Sequence, residues 1–293
     1  MKKVLDGVMI GTGIVAVLAV AIVIAWAGDV FTVDKDGIPK FAVSDAGKIT
    51  VGATESYVNL VIQNNSGAAT NKVDITADVL TVEGIRLESV NVSADITAAG
   101  AGGLDAGSEA ANTWYYVWAI TNNDGTTTNG MLSVSSTSPT MPSGYTKKRR
   151  VGAVRNNASS DFPPFVQIGN KVIYGGPASN NIIANGDATS YTNVSAASFI
   201  PPTANVGSFL LDVGLSYTSA ATVFAYYARN PNTNDGGNLL IVRSQVAGVI
   251  TSNTYVVDIK TDASRNVAYR RISATAPSAG GMNINVVGYY DRI

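Results

Sequence analysis

Two residue types are missing from this sequence of 293 residues, which contains no cysteine and no histidine. Without cysteine the chain has no disulfide framework, no thiol nucleophile and no thiolate metal site. Without histidine it has no imidazole base, which excludes Ser-His-Asp and Cys-His enzymes and leaves no ordinary zinc site. We therefore predict no metal and no cofactor.

Charged residues are scarce as well. They make up 14% of the chain, and 20 Lys and Arg against 21 Asp and Glu give a net charge of −1. Such a chain has no general field that would attract nucleic acid, so we predict no nucleic-acid partner. The abundant Gly, Ser, Thr and Asn are typical of an all-β protein that is rich in turns.

Residues 7–28 form an uninterrupted run of 22 uncharged, mostly aliphatic residues. As a helix this run is about 33 Å long, enough for a hydrocarbon layer of about 30 Å. Lys2 and Lys3 precede it and Asp29 follows it, which places the N-terminus inside and the remainder outside. We predict a retained transmembrane anchor and an exterior location for everything after it.

Small residues recur within this predicted anchor. Gly7 and Gly11 are four positions apart, as are Ala21 and Ala25 beside Trp26, and this spacing lets helices approach each other closely. Two other interpretations stay open, namely a cleaved signal peptide with an A-x-A site at its end and a hydrophobic helix buried in an assembly. The run exceeds the ~7–15 residues of a signal-peptide core, which favours the anchor.

Short segments of period-2 alternation, separated by Gly, Asn, Asp and Pro, dominate after residue 28 and predict strands. Residues 29–52 contain three strands too short to fold independently, so we predict a β connector that trimerises. The rest divides into three predicted parts: a β module at 53–176, a linker or loop at 177–193, and an antiparallel β-sandwich head of jelly-roll type at 194–293.

Five segments follow each other in the middle region: KVDITAD at 72–78, GLDAGS at 103–108, NTWYYVWAI at 112–120, PTMPSGY at 139–145 and RRVGAV at 149–154. In this order they resemble a module of bacteriophage tail-fibre and virion-spike proteins. The resemblance covers about a third of the chain. The last domain, which ends with VVGYY at 286–290, is similar in character to the β-sandwich heads of such fibres.

The resemblance implies an elongated, trimeric, non-enzymatic virion protein that contacts a host surface. Its partners would be its own copies, other virion structural proteins, and a host surface glycan or receptor. A membrane anchor departs from ordinary tail fibres and indicates either a virus with an internal lipid membrane or a cell-surface protein with a fibre module. The alternative function is a membrane-anchored bacterial envelope or filament subunit that binds copies of itself.

Aromatic residues are concentrated at 114–118. Trp114, Tyr116 and Trp118 alternate with the same phase as Ile120, so we expect them to face a core. Tyr115 lies on the opposite face and is the predicted exposed ligand contact, because aromatic rings stack on sugar rings.

The basic residues Lys147, Lys148, Arg149 and Arg150 form the densest run of positive charge. They are the second group of predicted ligand contacts, suited to a phosphate-bearing surface or an acidic partner subunit. The other interpretation is a solvated loop that leads into a strand.

Carboxylates do not converge in this sequence. The segment 34–37 (DKDG) lacks the later ligands of a calcium loop and predicts a hairpin turn. Asp74 and Asp78 share one face of a predicted strand and are expected to meet solvent. Glycosidases use two carboxylates and no histidine, but nothing indicates an enclosed acidic cleft, so we predict that the protein is not an enzyme.

Overall fold

The structure is a computed structural model that describes residues 29–35, 38–44, 49–51, 56–176, 180–216, 218, 223–232, 238–243, 246–272 and 277–293. The chain forms two compact units, Met1–Ala53 and Thr54–Ile293. All regular elements of the described residues are strands, and their sheets are antiparallel, which confirms the all-β prediction. The predicted anchor and its residues Gly7, Gly11, Ala21, Ala25 and Trp26 lie outside the described residues. Within the described ranges, no helix has the length and apolar character needed to cross a membrane.

The first unit contains a three-stranded antiparallel meander. Its strands are β1 (Asp29–Lys35), β2 (Ile38–Ser44) and β3 (Ile49–Val51), in the order β1-β2-β3. Lys35 pairs with Ile38 across the β1–β2 connection, which confirms the predicted hairpin at 34–37. The predicted association of this connector with its copies stays a prediction.

The first half of the second unit consists of two facing sheets. Strands β12, β11, β5 and β6 follow each other in a large sheet, with β4 and β7 both paired to β6, while a smaller sheet has the order β10-β8-β9. Val73, Ile75 and Ala77 on β6 are buried between the sheets, as their alternation predicts. The bounds of these strands are β4 (Tyr57–Val58), β5 (Val61–Asn64), β6 (Lys72–Val82), β7 (Ile85–Asp95), β8 (Thr113–Thr121), β9 (Thr128–Ser133), β10 (Lys147–Asn156), β11 (Phe165–Ile168) and β12 (Lys171–Tyr174).

The second half is a sandwich of two four-stranded layers. One layer has the order β18-β15-β20-β13, and the other has the order β14-β19-β16-β17. Phe209, Leu211 and Val213 on β15 alternate toward the shared core and are fully buried, as predicted. The strands are β13 (Asn181–Gly186), β14 (Thr192–Ser195), β15 (Ala204–Ser216), β16 (Val223–Arg229), β17 (Asn238–Arg243), β18 (Thr251–Lys260), β19 (Asn266–Arg271) and β20 (Ala279–Asp291).

The two halves are joined by one continuous sheet, which corrects the predicted division at residue 176. Strand β12 pairs with β20, with Val172 opposite Tyr289, so the last strand extends the sheet of the first half. The Tyr289 hydroxyl also donates a hydrogen bond of 2.9 Å to the Ala153 carbonyl of the facing sheet. The halves share a core because the chain end returns to β12, a pairing between segments far apart in sequence.

The predicted linker at 177–193 is also corrected. Most of β13 and the start of β14 fall within it, and β13 pairs with β20 in the large sheet. The β13 segment NIIANG alternates poorly, because an edge strand with two register irregularities buries few of its side chains.

Candidate ligand-binding groove

The predicted basic run forms the beginning of β10 rather than a loop. Arg149 is only 7% exposed, and its Nη1 donates hydrogen bonds to the carbonyls of Ser56 (2.8 Å) and Thr81 (2.9 Å). Its guanidinium also lies 5.6 Å from the centre of the Tyr57 ring. These contacts fasten β10 to the opposite sheet, which corrects the predicted ligand contact by Arg149.

Arg150 also has a structural partner. Its Nη1 lies 2.7 Å from Oδ2 of Asp291, whose side chain is fully buried, and its Nη2 donates to the Arg292 carbonyl. The guanidinium lies over the Tyr116 ring as well. Arg150 therefore joins β10 to the end of β20, while Lys147 and Lys148 are half-buried and their predicted ligand contact stays a prediction.

The prediction that Tyr115 is exposed is wrong. Tyr115 is fully buried, and its hydroxyl accepts a hydrogen bond of 2.8 Å from the Ala110 amide. Tyr116 and Trp118 are buried on the other face, as predicted. Both faces of β8 are covered because Met141 and Tyr145, from the connection between β9 and β10, pack over the second face. Strand alternation alone cannot reveal such a cover.

A groove of about 570 Å³ lies where the two halves of the second unit meet. The first half contributes the ends of β5 and β10, the residue before β8 and the connection from β10 to β11. The second half contributes the residue before β13 and the connection from β14 to β15. The residues that define its chemistry are a half-buried arginine, three half-buried or exposed asparagines and two phenylalanines: Arg155, Asn64, Asn112, Asn157, Phe162 and Phe199.

Arg155 is the cation of this groove. Its Nη2 donates a hydrogen bond of 3.2 Å to the side-chain oxygen of Asn112, and no carboxylate forms an ion pair with it in the described part of the chain. Burial lowers the pKa of Arg155, Tyr174 opposes that effect, and the nearby Arg265 guanidinium lowers the pKa further. The Arg155 side chain stays protonated at neutral pH. The groove is therefore lined by a partly desolvated cation that no described carboxylate pairs with.

The wall of the groove is held in place by backbone and asparagine hydrogen bonds. Asn157 Oδ1 accepts hydrogen bonds from the amides of Ser159 (2.8 Å) and Asp161 (3.1 Å), which closes the loop after β10. Asn64 Nδ2 donates to the Pro163 carbonyl, and its Oδ1 accepts from the Phe165 amide at 2.7 Å. The groove is therefore preformed by the fold.

A second, shallower depression of about 380 Å³ continues from this groove. The two share Asn64 and Pro164, and the extension reaches Ile173 and Gly175 at the end of β12. Together they form a surface longer than a single small molecule needs, with polar groups and apolar rings along it. Such a shape accommodates an extended ligand.

The two acidic residues on the outer face of β6 each bind an asparagine. Asp74 accepts hydrogen bonds from Asn65, and Asp78 accepts one of 2.6 Å from Asn59, both on the outer face of β6 as expected. In the groove itself, Asp161 is the lone acidic residue of the lining. Among the residues described by the structure, no group of three acidic side chains could hold a metal ion.

Sequence reasoning missed this groove because its residues come from six separate stretches of the chain. The one local signal is the stretch 155–164 (RNNASSDFPP), where Asn, Ser, Asp and Pro predict a long turn that follows a strand. That signal marks a loop but gives no indication of which distant segments surround it.

No protein-family model matches this chain, and no curated protein sequence matches it. The functional assignment therefore depends on the geometry of the groove and on the architecture around it.

Proposed function

We propose that this protein is a membrane-anchored virion spike or fibre that attaches to the host cell surface by binding an acidic saccharide. The observation that carries the proposal is the junction groove, in which Arg155 is half-buried beside asparagines and the Phe199 ring and forms no ion pair with any described residue. The absence of cysteine and histidine and the scattered carboxylates support a binding role rather than an enzymatic one.

The groove residues match the chemistry of a saccharide. Asparagine side chains donate and accept hydrogen bonds, as sugar hydroxyls require, and the half-buried ring of Phe199 offers apolar surface to a sugar face. A guanidinium donates two parallel hydrogen bonds to a carboxylate or a phosphate, and partial burial strengthens that attraction. A carboxylated or phosphorylated sugar would supply the counter-ion that Arg155 lacks.

The architecture supports the virion setting. We interpret β13–β20 as a jelly roll, because consecutive strands, apart from the hairpin β16–β17, alternate between two sheets in the orders β18-β15-β20-β13 and β14-β19-β16-β17. Viral capsid and lectin domains use this arrangement. With the fibre-like segments before it, the anchor at 7–28 and the connector at 29–52, the chain would form a homotrimeric spike that is fixed in a membrane and held by other virion proteins.

Attachment would depend on several copies acting together. A shallow groove gives a weak single contact, whereas linked copies bind a repetitive surface with an avidity that exceeds each affinity by about 10²–10⁴. The connector would hold the copies close enough for simultaneous contact.

The alternative is an envelope or filament subunit whose partner is its own copy. The exposed apolar side chains on β17 and β18 favour it, because they suit protein contacts. Both functions place copies side by side, so saccharide binding is the property that separates them.

The test is a glycan array probed with the full-length protein in detergent, together with Arg155→Gln. The matched control is Arg86→Gln, which removes an equal charge from an exposed pair on β7. We expect retention on carboxylated or phosphorylated glycans, a loss of at least tenfold for Arg155→Gln, and no change for the control. Equal binding by both variants, or no binding by the unsubstituted protein, would overturn the proposal.

A further inference from the structure

One open side of the β13–β20 sandwich has an unusually apolar surface. Strand β17 ends one layer and β18 ends the other, and neither has a second partner strand among the described residues. Seven of the twelve large hydrophobic residues that are exposed in the described chain lie here. They are Leu239, Ile241, Val246, Val249, Ile250, Tyr255 and Val256, which we call the β17–β18 edge.

The seven residues belong to one region of the surface. Strands β17 and β18 contact each other, and Asn253 Nδ2 on β18 donates a hydrogen bond of 3.1 Å to the Ile241 carbonyl on β17. The remaining members follow in the connection between the two strands. Ile250 is 66% exposed and Val256 is 64% exposed, so their side chains are largely in water in a single chain.

Another free strand of the same unit is protected in the usual way. The outer edge of β7 carries the exposed ion pair Arg86–Glu88 at 2.9 Å and a left-handed Ser89. Charges and irregular backbone at an edge prevent pairing with a second chain. The β17–β18 edge carries its charges, Arg243, Asp258 and Lys260, only at the strand ends, and no charged residue occurs from 244 to 257.

We infer that the β17–β18 edge is the surface through which one copy of this chain binds a second copy. Because the stretch from 244 to 257 carries no charge, the apolar centre of the edge meets its own copy without like-charge repulsion. Each of the seven side chains is 46–66% exposed, so a second copy would remove apolar surface from water, which is the main favourable contribution to protein association.

The outer edges of β17 and β18, which pair with no further strand among the described residues, give a second source of attraction. Two edge strands can continue a sheet from one chain into the next, and main-chain hydrogen bonds then add to apolar burial. This inference is independent of the ligand in the groove, so it stands or fails separately from the proposed attachment.

The test uses the absence of cysteine in the natural sequence, since any introduced thiol is unique. We compare Val256→Cys with the control Ile168→Cys, whose side chain is 58% exposed on β11. The full-length protein in a mild detergent is labelled with a thiol reagent. We expect Val256→Cys to react at least tenfold more slowly than the control, because a second copy covers it.

A second variant tests whether a second copy, rather than a low intrinsic reactivity of the introduced thiol, slows the labelling. Adding Ile250→Asp to Val256→Cys places a charge in the contact and should raise the labelling rate to that of the control. Sedimentation should show a smaller species unless the predicted anchor holds the copies together, and circular dichroism checks the fold. Equal labelling of Val256→Cys and Ile168→Cys, or no effect of Ile250→Asp on the rate, would overturn the inference.

Discussion

Replacing Arg150 by Met tests whether the predicted basic run is structural. The substitution keeps most of the side-chain volume but leaves the Asp291 carboxylate without its cation. That carboxylate is fully buried, and Arg150 itself is 13% exposed. The other hydrogen bond of the Asp291 carboxylate, which the Arg292 amide donates at 2.9 Å, compensates for only part of the loss.

The expected cost is about 3 kcal/mol, at the lower end of the range for removing one partner of a buried ion pair. With a urea dependence of about 3 kcal/mol/M, the unfolding midpoint should fall by about 1 M. Adding Asp291→Asn to Arg150→Met should recover part of the loss, because the neutral amide leaves no unpaired buried charge.

Urea unfolding followed by tryptophan fluorescence measures the change. Lys147→Met is the matched control, since Lys147 is half-buried at the start of the same strand and joins no ion pair in the described chain. We expect the control to change the unfolding free energy by less than about 0.5 kcal/mol. If Arg150→Met is no more destabilising than Lys147→Met, the assignment of Arg150 as a structural cation at the junction is incorrect.

Two further predictions concern the core. Gly186→Ala should destabilise the protein by about 2 kcal/mol, because its added Cβ would lie 2.7 Å from the buried Tyr269 ring. The control is Gly67→Ala, whose Cβ would meet only Asn65 Oδ1 at 3.5 Å. Equal urea midpoints for the two variants would show that β13 is not packed as described. Burial raises the pKa of Tyr174, Tyr226 and Tyr289. Their contribution to the free energy of unfolding is therefore complete below pH ~10, and it declines above that pH because tyrosine ionises in the unfolded chain first. Urea midpoints from pH 9 to 11.5 should therefore decrease, with a smaller decrease in Tyr289→Phe, and a flat profile would contradict this.

Sequence patterns predicted much of the secondary structure. The three short strands of the connector, the alternation on β6 and the long buried strand β15 agree with the structure, because residue spacing and turn chemistry act locally. The expected burial of Tyr116 and Trp118 was correct for the same reason.

The predictions for Tyr115, Arg149 and Arg150 were wrong because these side chains contact segments that are distant in sequence. Tyr115 was expected to be exposed because period-2 alternation assigns one face to solvent, yet its face packs into the main core, and the connection between β9 and β10 covers the face of Tyr116 and Trp118. Arg149 and Arg150 were candidate ligand contacts because a basic run is commonly exposed, but Ser56, Thr81 and Asp291 bind them from distant segments.

By itself, the sequence determined the β class, the lack of thiol and imidazole chemistry, and the periodicity that selects which strand faces are apolar. Only the tertiary structure decided that β20 pairs with β12, that the halves share one sheet, and that Arg155 lines a groove. The physical reason is that strand propensity and alternation are local properties. Which strand pairs with which, and which loop covers a face, depends on burial and hydrogen bonding summed over the whole chain.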